Sequence, residues 1–181
     1  LYGYTWLSGY DVFFPGVNTQ GTFDIDSNDN FGFELDVNVK PGGQLVLLWN
    51  RMESAATFDP ATVGGGQKVT LGDVDVEYWQ IGALSGPFNG QMVPFGGLTV
   101  GATRFVAGGN DSWKFSFMPQ LGAKFYMSER LAIRLHARFP ITFIQNGFAL
   151  GFGTGGGYAA VEGTGIYGAD LGGGISLLLG G

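Results

Sequence analysis

The sequence has 181 residues, a formal net charge of −6 and 13 % charged side chains, about half the charged share of a typical soluble domain. No basic stripe is present to meet phosphates, which argues against a nucleic-acid partner, and the absence of cysteine excludes disulfides and thiolate metal sites. No apolar run approaches the ~18–20 residues of a transmembrane helix, so a place in a bilayer requires a closed β-barrel, the other fold that satisfies every backbone N–H and C=O. The length suits one domain covering 1–181. No signal peptide is visible at Leu1, and the sequence is expected to begin with the mature or the ordered part of the chain.

In chain order, Tyr4 to Phe14 predicts a strand with Tyr4, Trp6, Tyr10, Val12 and Phe14 on one face and Thr5, Gly9 and Asp11 on the other. Gly16 to Asn30 is polar and acidic and reads as a loop. Strand two, Phe31 to Val39, sets Phe33, Leu35, Val37 and Val39 against Glu34, Asp36 and Asn38. After a Pro41-Gly42-Gly43 turn, strand three runs Gln44 to Met52, with Leu45, Leu47 and Trp49 assigned to lipid. Glu53 to Gly72 reads as a second polar loop. Strand four, Asp73 to Leu84, places Val74, Val76 and Tyr78 against Asp75 and Glu77, and a short turn, Ser85 to Gln91, follows. Strand five, Val93 to Phe105, turns Leu98, Val100 and Ala102 outward and Thr99, Gly101 and Thr103 inward.

The clearest signal is the hairpin Lys114 to Phe143. One arm has Phe115, Phe117, Leu121, Ala123 and Phe125 on one parity and Lys114, Ser116, Gln120 and Lys124 on the other. The second arm sets Leu131, Ile133, Leu135, Ala137 and Phe139 against Arg134, His136 and Arg138. Side chains of a strand alternate strictly, so each arm has an apolar wall and a charged wall. A helical period would scatter the three cationic positions around a cylinder. The length of each arm suits a tilted strand crossing a bilayer, which needs roughly 9–11 residues. Ile144 to Ile166 is a glycine-rich excursion, and the last strand, Tyr167 to Leu179, shows Leu171, Ile175, Leu177 and Leu179 opposite Asp170, Gly172, Gly174 and Ser176.

The fold expected is all-β, an eight-stranded antiparallel up-and-down transmembrane barrel. Three shorter turns alternate with four loops, the asymmetry of outer-membrane barrels, and this predicts both termini on the periplasmic side. The stretches VEYWQIGAL (76–84), FGGLTVGATRF (95–105), KFSFMPQLGAKFYMSERLAIRLHARF (114–139) and GADLGGGISLLLG (168–180) resemble the small outer-membrane β-barrel domain proteins of Gram-negative bacteria. That resemblance covers nearly the whole chain and implies the fold and the bacterial outer membrane, but no common activity. The sequence departs from the group by ending Leu179-Gly180-Gly181 rather than on an aromatic residue.

In the lumen, Glu34, Asp36, Glu77, Lys124, Arg134, His136 and Arg138 are expected to form a charge network. An eight-stranded barrel is just wide enough for side chains to fill it, which favours a plug over an ion path. His136, the single histidine, sits between two arginines with no serine near it, so it reads as a network member rather than a catalytic base. Neither it nor the glycine-rich stretches 64–66 and 151–157 match a metal or phosphate pattern, so no catalytic, cofactor or metal residue is assigned. Asp24, Asp26, Asn28, Asp29 and Asn30 are expected as a solvated acidic loop without a full calcium pattern. Trp6, Trp49, Trp79 and Trp113 fit interfacial girdles. Arg104 and Lys114 are candidate contacts for lipopolysaccharide phosphates.

These readings lead to a non-enzymatic scaffold whose loops meet lipopolysaccharide, other envelope proteins or a second copy. A narrow porin-like channel is the alternative, and a lipid-modifying enzyme the third. A soluble lipocalin-like barrel is the rival fold and needs the opposite facing.

Overall fold

The computed structural model describes residues 1–14, 19–60, 68–87, 90–128, 131–144, 148–153, 156–161 and 165–177. Its strands are β1 (Tyr2–Leu7), β2 (Tyr10–Phe14), β3 (Thr19–Ile25), β4 (Asn28–Lys40), β5 (Gly43–Pro60), β6 (Val69–Ser85), β7 (Met92–Ala107), β8 (Asn110–Tyr126), β9 (Leu131–Arg138), β10 (Ile141–Phe143), β11 (Phe148–Gly153), β12 (Gly156–Val161) and β13 (Gly165–Leu177). They build a closed antiparallel ring of eight staves. β1 with β2, and β3 with β4, are each one interrupted stave; β5 to β8 are one apiece; β9 and β10 share the seventh, and β13 is the eighth. The ring closes where β1 pairs β13, Tyr2 opposite Gly173 through Leu7 opposite Gly168. Among the described residues, β11 and β12 pair only with each other.

Closure leaves each side chain a choice between lumen and exterior, and alternation decides it. Phe31, Phe33, Leu35, Val37 and Val39 of β4 face out, as do Leu131, Ile133 and Leu135 of β9 and Leu171 and Ile175 of β13. The outward row from Phe31 to Val39 runs roughly 26 Å along its strand, enough to cover the ~25 Å apolar band of a membrane barrel. Leu45 and Leu47 face out and Val46 and Leu48 in, as expected for strand three. Leu98 and Val100 are likewise exposed, with Thr99 and Thr103 buried. The charged walls of the hairpin line the lumen.

Several strands run further than the sequence pattern indicates. β5 has 18 residues and continues to Pro60, and β6 starts at Val69, so most of the stretch expected as a loop at 53–72 is wall. The acidic stretch 16–30 contains β3 and the start of β4, and the expected excursion 144–166 contains the β11–β12 hairpin. The stretch 107–113, expected from the sequence as the third loop, is instead a tight turn at Gly108 and Gly109, with φ of 57° and 82°. Two left-handed residues in a row are what the favoured two-residue hairpin demands, and glycine takes them without a Cβ clash. Connection length therefore does not separate the two ends at this position; the long walls of β5 to β8 do.

Beyond the apolar band those walls invert. Met52, Ala56, Val74, Val76 and Tyr78 are buried inside, packed with Ile25 and Ile166 in one apolar cluster. Outside them stand Arg51, Glu53, Asp75 and Glu77, the register pairing Arg51 with Glu77 and Glu53 with Asp75. The sequence pattern set Val74, Val76 and Tyr78 against Asp75 and Glu77 and placed Glu77 in the lumen. The alternation is correct and the facing reversed, because this part of β6 stands where the surroundings are polar and burial drives the apolar parity inward.

Candidate functional site

Among the described residues, the lumen brings many polar and charged side chains together. β4 brings Glu34 and Asp36 inward because its odd positions take the outer face. β8 contributes Gln120 and Lys124, β9 contributes Arg134, His136 and Arg138, and β13 contributes Asp170, all buried apart from the partly shielded Asp36. Register sets the neighbours: Lys124 lies opposite Arg134 and Gln120 opposite Arg138, and Arg138 lies opposite Asp170 on its other side.

Glu34 joins two arginines. Its Oε1 accepts from Arg134 Nη1 and its Oε2 from Arg138 Nη2 at 3.0 Å. The side chains of Arg134 and Arg138 are each 1 % exposed and that of Glu34 2 %. At such burial the desolvation cost is large, and pairing through several hydrogen bonds is what offsets it. Asp36 Oδ2 accepts from Lys124 Nζ at 2.5 Å and from Arg134 Nη1 at 3.3 Å. Amides complete this half: Lys124 donates to Gln44 Oε1 at 2.9 Å, and Arg134 Nη2 to Gln120 Oε1 at 3.2 Å. The Arg134 guanidinium also lies 4.4 Å from the centroid of the Phe95 ring, a cation–π stack.

A second knot adjoins the first. His136 Nε2 and Asp170 Oδ1 are hydrogen-bonded at 3.1 Å. Asp170 Oδ2 accepts from Thr5 Oγ1 at 3.1 Å and from Asn30 Nδ2 at 2.6 Å, and Asn50 Nδ2 donates to Asn30 Oδ1 at 2.7 Å. Gly172 opens the seat for the imidazole, since a Cβ there would lie 2.8 Å from His136 Nε2. The Thr5 hydroxyl binds the carboxylate and not the imidazole, which is the wrong order for activating a nucleophile.

The other expected positions fall elsewhere. Glu77 does not join the network. It faces out and pairs with Arg104 at 3.5 Å, also accepting from Trp79 Nε1 at 3.2 Å. Arg104 is on the exterior, bonded to Asp111 at 3.1 Å and stacked 5.6 Å from the Trp113 ring centroid. Lys114 lies opposite the buried Thr103 on the inward parity, so it does not share an outer face with Arg104. Of the expected acidic loop, Asn30 is inside the lumen and Asp26 binds Lys68 at 3.2 Å. Sequence reasoning missed Asp170, Thr5, Asn30 and Asn50 as network members. Asp170 stood at the correct parity of a glycine-alternating strand, and that was the available signal. Its partners lie 34 to 165 residues away in the chain.

No family model matches the chain, and no curated protein does. Solved structures do. The outer membrane protein OprG from Pseudomonas aeruginosa superposes with a TM-score of 0.60 at 16 % identity, covering 97 % of this chain and 92 % of that one. The fold is that of an outer-membrane β-barrel. Neisserial surface protein A aligns with a TM-score of 0.48 at 10 % identity over 97 % of this chain and 93 % of that one, and the outer membrane protease OmpT from Escherichia coli with 0.44 at 8 % over 98 % and 78 %. In such a barrel the band of Phe33, Leu35, Leu47, Ile133 and Leu171 is the lipid-facing surface, and the Glu34–Arg134–Arg138 knot lies within the spanning wall.

Proposed function

We propose that the chain is an integral protein of the bacterial outer membrane, with its termini on the periplasmic side. In this reading it is a non-enzymatic scaffold whose lumen is plugged and whose tall outer rim meets lipopolysaccharide or partner proteins of the envelope. The observation that supports this most is the knot Glu34–Arg134–Arg138–Asp36–Lys124. It links side chains from three staves across the lumen at about the narrow bore of an eight-stranded barrel. The order of the His136–Asp170–Thr5 bonds supports the non-enzymatic reading.

Single-channel recording of the refolded protein in a planar bilayer tests it. A silent bilayer, with insertion confirmed by protease protection, is the expected result. Reproducible conductance steps would replace the plug with a pore. A narrow channel is the second reading, favoured by one observation. Arg134 Nε, Arg138 Nε and Nη1, and His136 Nδ1 are buried without a protein partner, and polar groups so placed call for water.

A further inference from the structure

The outer wall from β4 to β7 carries two concavities stacked along the strands. The lower, about 560 Å³, lies among Phe33, Leu35, Leu47, Trp49, Trp79 and Val100. The upper, about 740 Å³, is bordered by Asp26, Arg51, Glu53, Asp73 and Asp75. Both are shallow and open along the wall. Register joins them, since Leu47 lies opposite Ile81, Trp49 opposite Trp79, Arg51 opposite Glu77 and Glu53 opposite Asp75 on one outward face. The row from Leu47 to Glu53 spans about 20 Å, and its polarity changes within a single outward step, from Trp49 to Arg51.

This profile is that of a lipid, with an acyl chain below and a headgroup above. The charges say which headgroup. In the upper part Arg51 Nη2 lies 3.1 Å from Glu53 and 2.9 Å from Asp75, and Lys68 reaches Asp26 at 3.2 Å. Two cations face the four carboxylates Asp26, Glu53, Asp73 and Asp75, leaving surplus negative charge beside one guanidinium. An anionic headgroup meets repulsion there. A quaternary ammonium meets the charge but offers no N–H. A primary ammonium next to a phosphate satisfies both signs, the ammonium on Glu53 and Asp75 and the phosphate on Arg51.

We propose that this groove seats a phospholipid with an ethanolamine headgroup, one acyl chain lying along Leu47, Trp49 and Trp79. The proposal rests on the membrane-spanning reading. In a leaflet of lipopolysaccharide such a lipid is a minority species, so the groove acts as a selective seat and not as part of the general annulus.

The test uses the full chain with Trp6→Phe and Trp113→Phe, which leaves Trp49 and Trp79 as fluorophores. The protein is refolded into phosphatidylcholine vesicles containing brominated phosphatidylethanolamine or brominated phosphatidylglycerol. Expected is half-quenching at about threefold lower mole fraction for the ethanolamine lipid, the scale of one exposed charge pair. Glu53→Gln with Asp75→Asn, or Asp75→Asn alone should the pair fold poorly, abolishes or reduces that preference. Equal quenching by the two lipids, stronger quenching by phosphatidylglycerol, or a preference that survives both substitutions overturns the proposal. So does displacement of the brominated ethanolamine lipid by stoichiometric lipopolysaccharide, which would make the occupant a glycolipid. Quenching by neither lipid is a different failure: it removes the tryptophans from the bilayer and the membrane-spanning reading with them.

Discussion

At the level of the apolar band the barrel keeps its charges inside and is apolar outside; along the upper reach of β5 and β6 it keeps its charges outside and is apolar inside. Glu34, Asp36, Arg134 and Arg138 share the first interior with Val46 and Leu48, under Phe33, Leu35, Ile133 and Leu135. Met52, Val74, Val76 and Tyr78 fill the second, under Arg51, Glu53, Asp75 and Glu77. The alternation of the strands is continuous through both, so the difference comes from the solvent. Hydrocarbon outside forces charge to the lumen, where it must be paired. Water outside restores the ordinary hydrophobic drive, and the same parity then buries methyl groups.

The comparison breaks most visibly where charge is buried. Glu34→Ala leaves Arg134 and Arg138 without their shared acceptor, and a loss of about 3–5 kcal/mol is expected in denaturant unfolding from vesicles. Replacing the knot as a whole, Glu34→Leu with Arg134→Met and Arg138→Met, should recover much of that loss, since an apolar filling removes the desolvation cost. A loss below ~1 kcal/mol for Glu34→Ala would mean water already solvates the arginines, and the pore reading would move ahead. Next in size is the outer face of the band. Ile133→Arg should cost about 2–4 kcal/mol if Ile133 faces the middle of the bilayer. Free tolerance in vesicles, with insertion verified by the heat-dependent shift in gel mobility, would contradict the lipid-facing assignment. In the upper interior, Val76→Ala removes fully buried methyl groups and should cost roughly 1–3 kcal/mol by the same unfolding assay. A neutral result there would show that the upper lumen is wet.

Particular residues show what was legible and what was not. The hairpin Lys114–Phe143 declared its facing because both of its walls are unmixed. The β5 wall beyond Met52 was hidden: Ser54-Ala55-Ala56-Thr57 alternates small residues of similar polarity, and an exterior in water permits Glu53 and Asp59, so the stretch has the composition of a loop. Glu77 was placed at the correct parity and on the wrong side, since parity carries no label for inside and outside where the membrane stops. Asp170 was visible as an inward carboxylate, but its partners Thr5, Asn30 and His136 sit on other staves, two of them brought beside it by ring closure. Pairings of that kind follow from register across the closure, which a linear pattern does not encode.

The smallest expected effect is also the one that locates the boundary between the two regions. Arg104 holds Asp111 at 3.1 Å and Glu77 at 3.5 Å, with its side chain 34 % exposed. If the collar stands in water, Arg104→Ala costs no more than ~1 kcal/mol. That cost should fade as salt approaches 1 M, where charges are screened beyond about 3 Å. The Glu34→Ala loss should hardly respond to salt, because ions do not reach a knot whose arginines are 1 % exposed. The pair of salt titrations thus reports dielectric surroundings rather than bond strength. Should the Arg104 loss prove large and indifferent to salt, the collar lies inside the low-dielectric layer. The membrane boundary would then sit above Glu77, and the inversion along β6 would need another cause than the solvent.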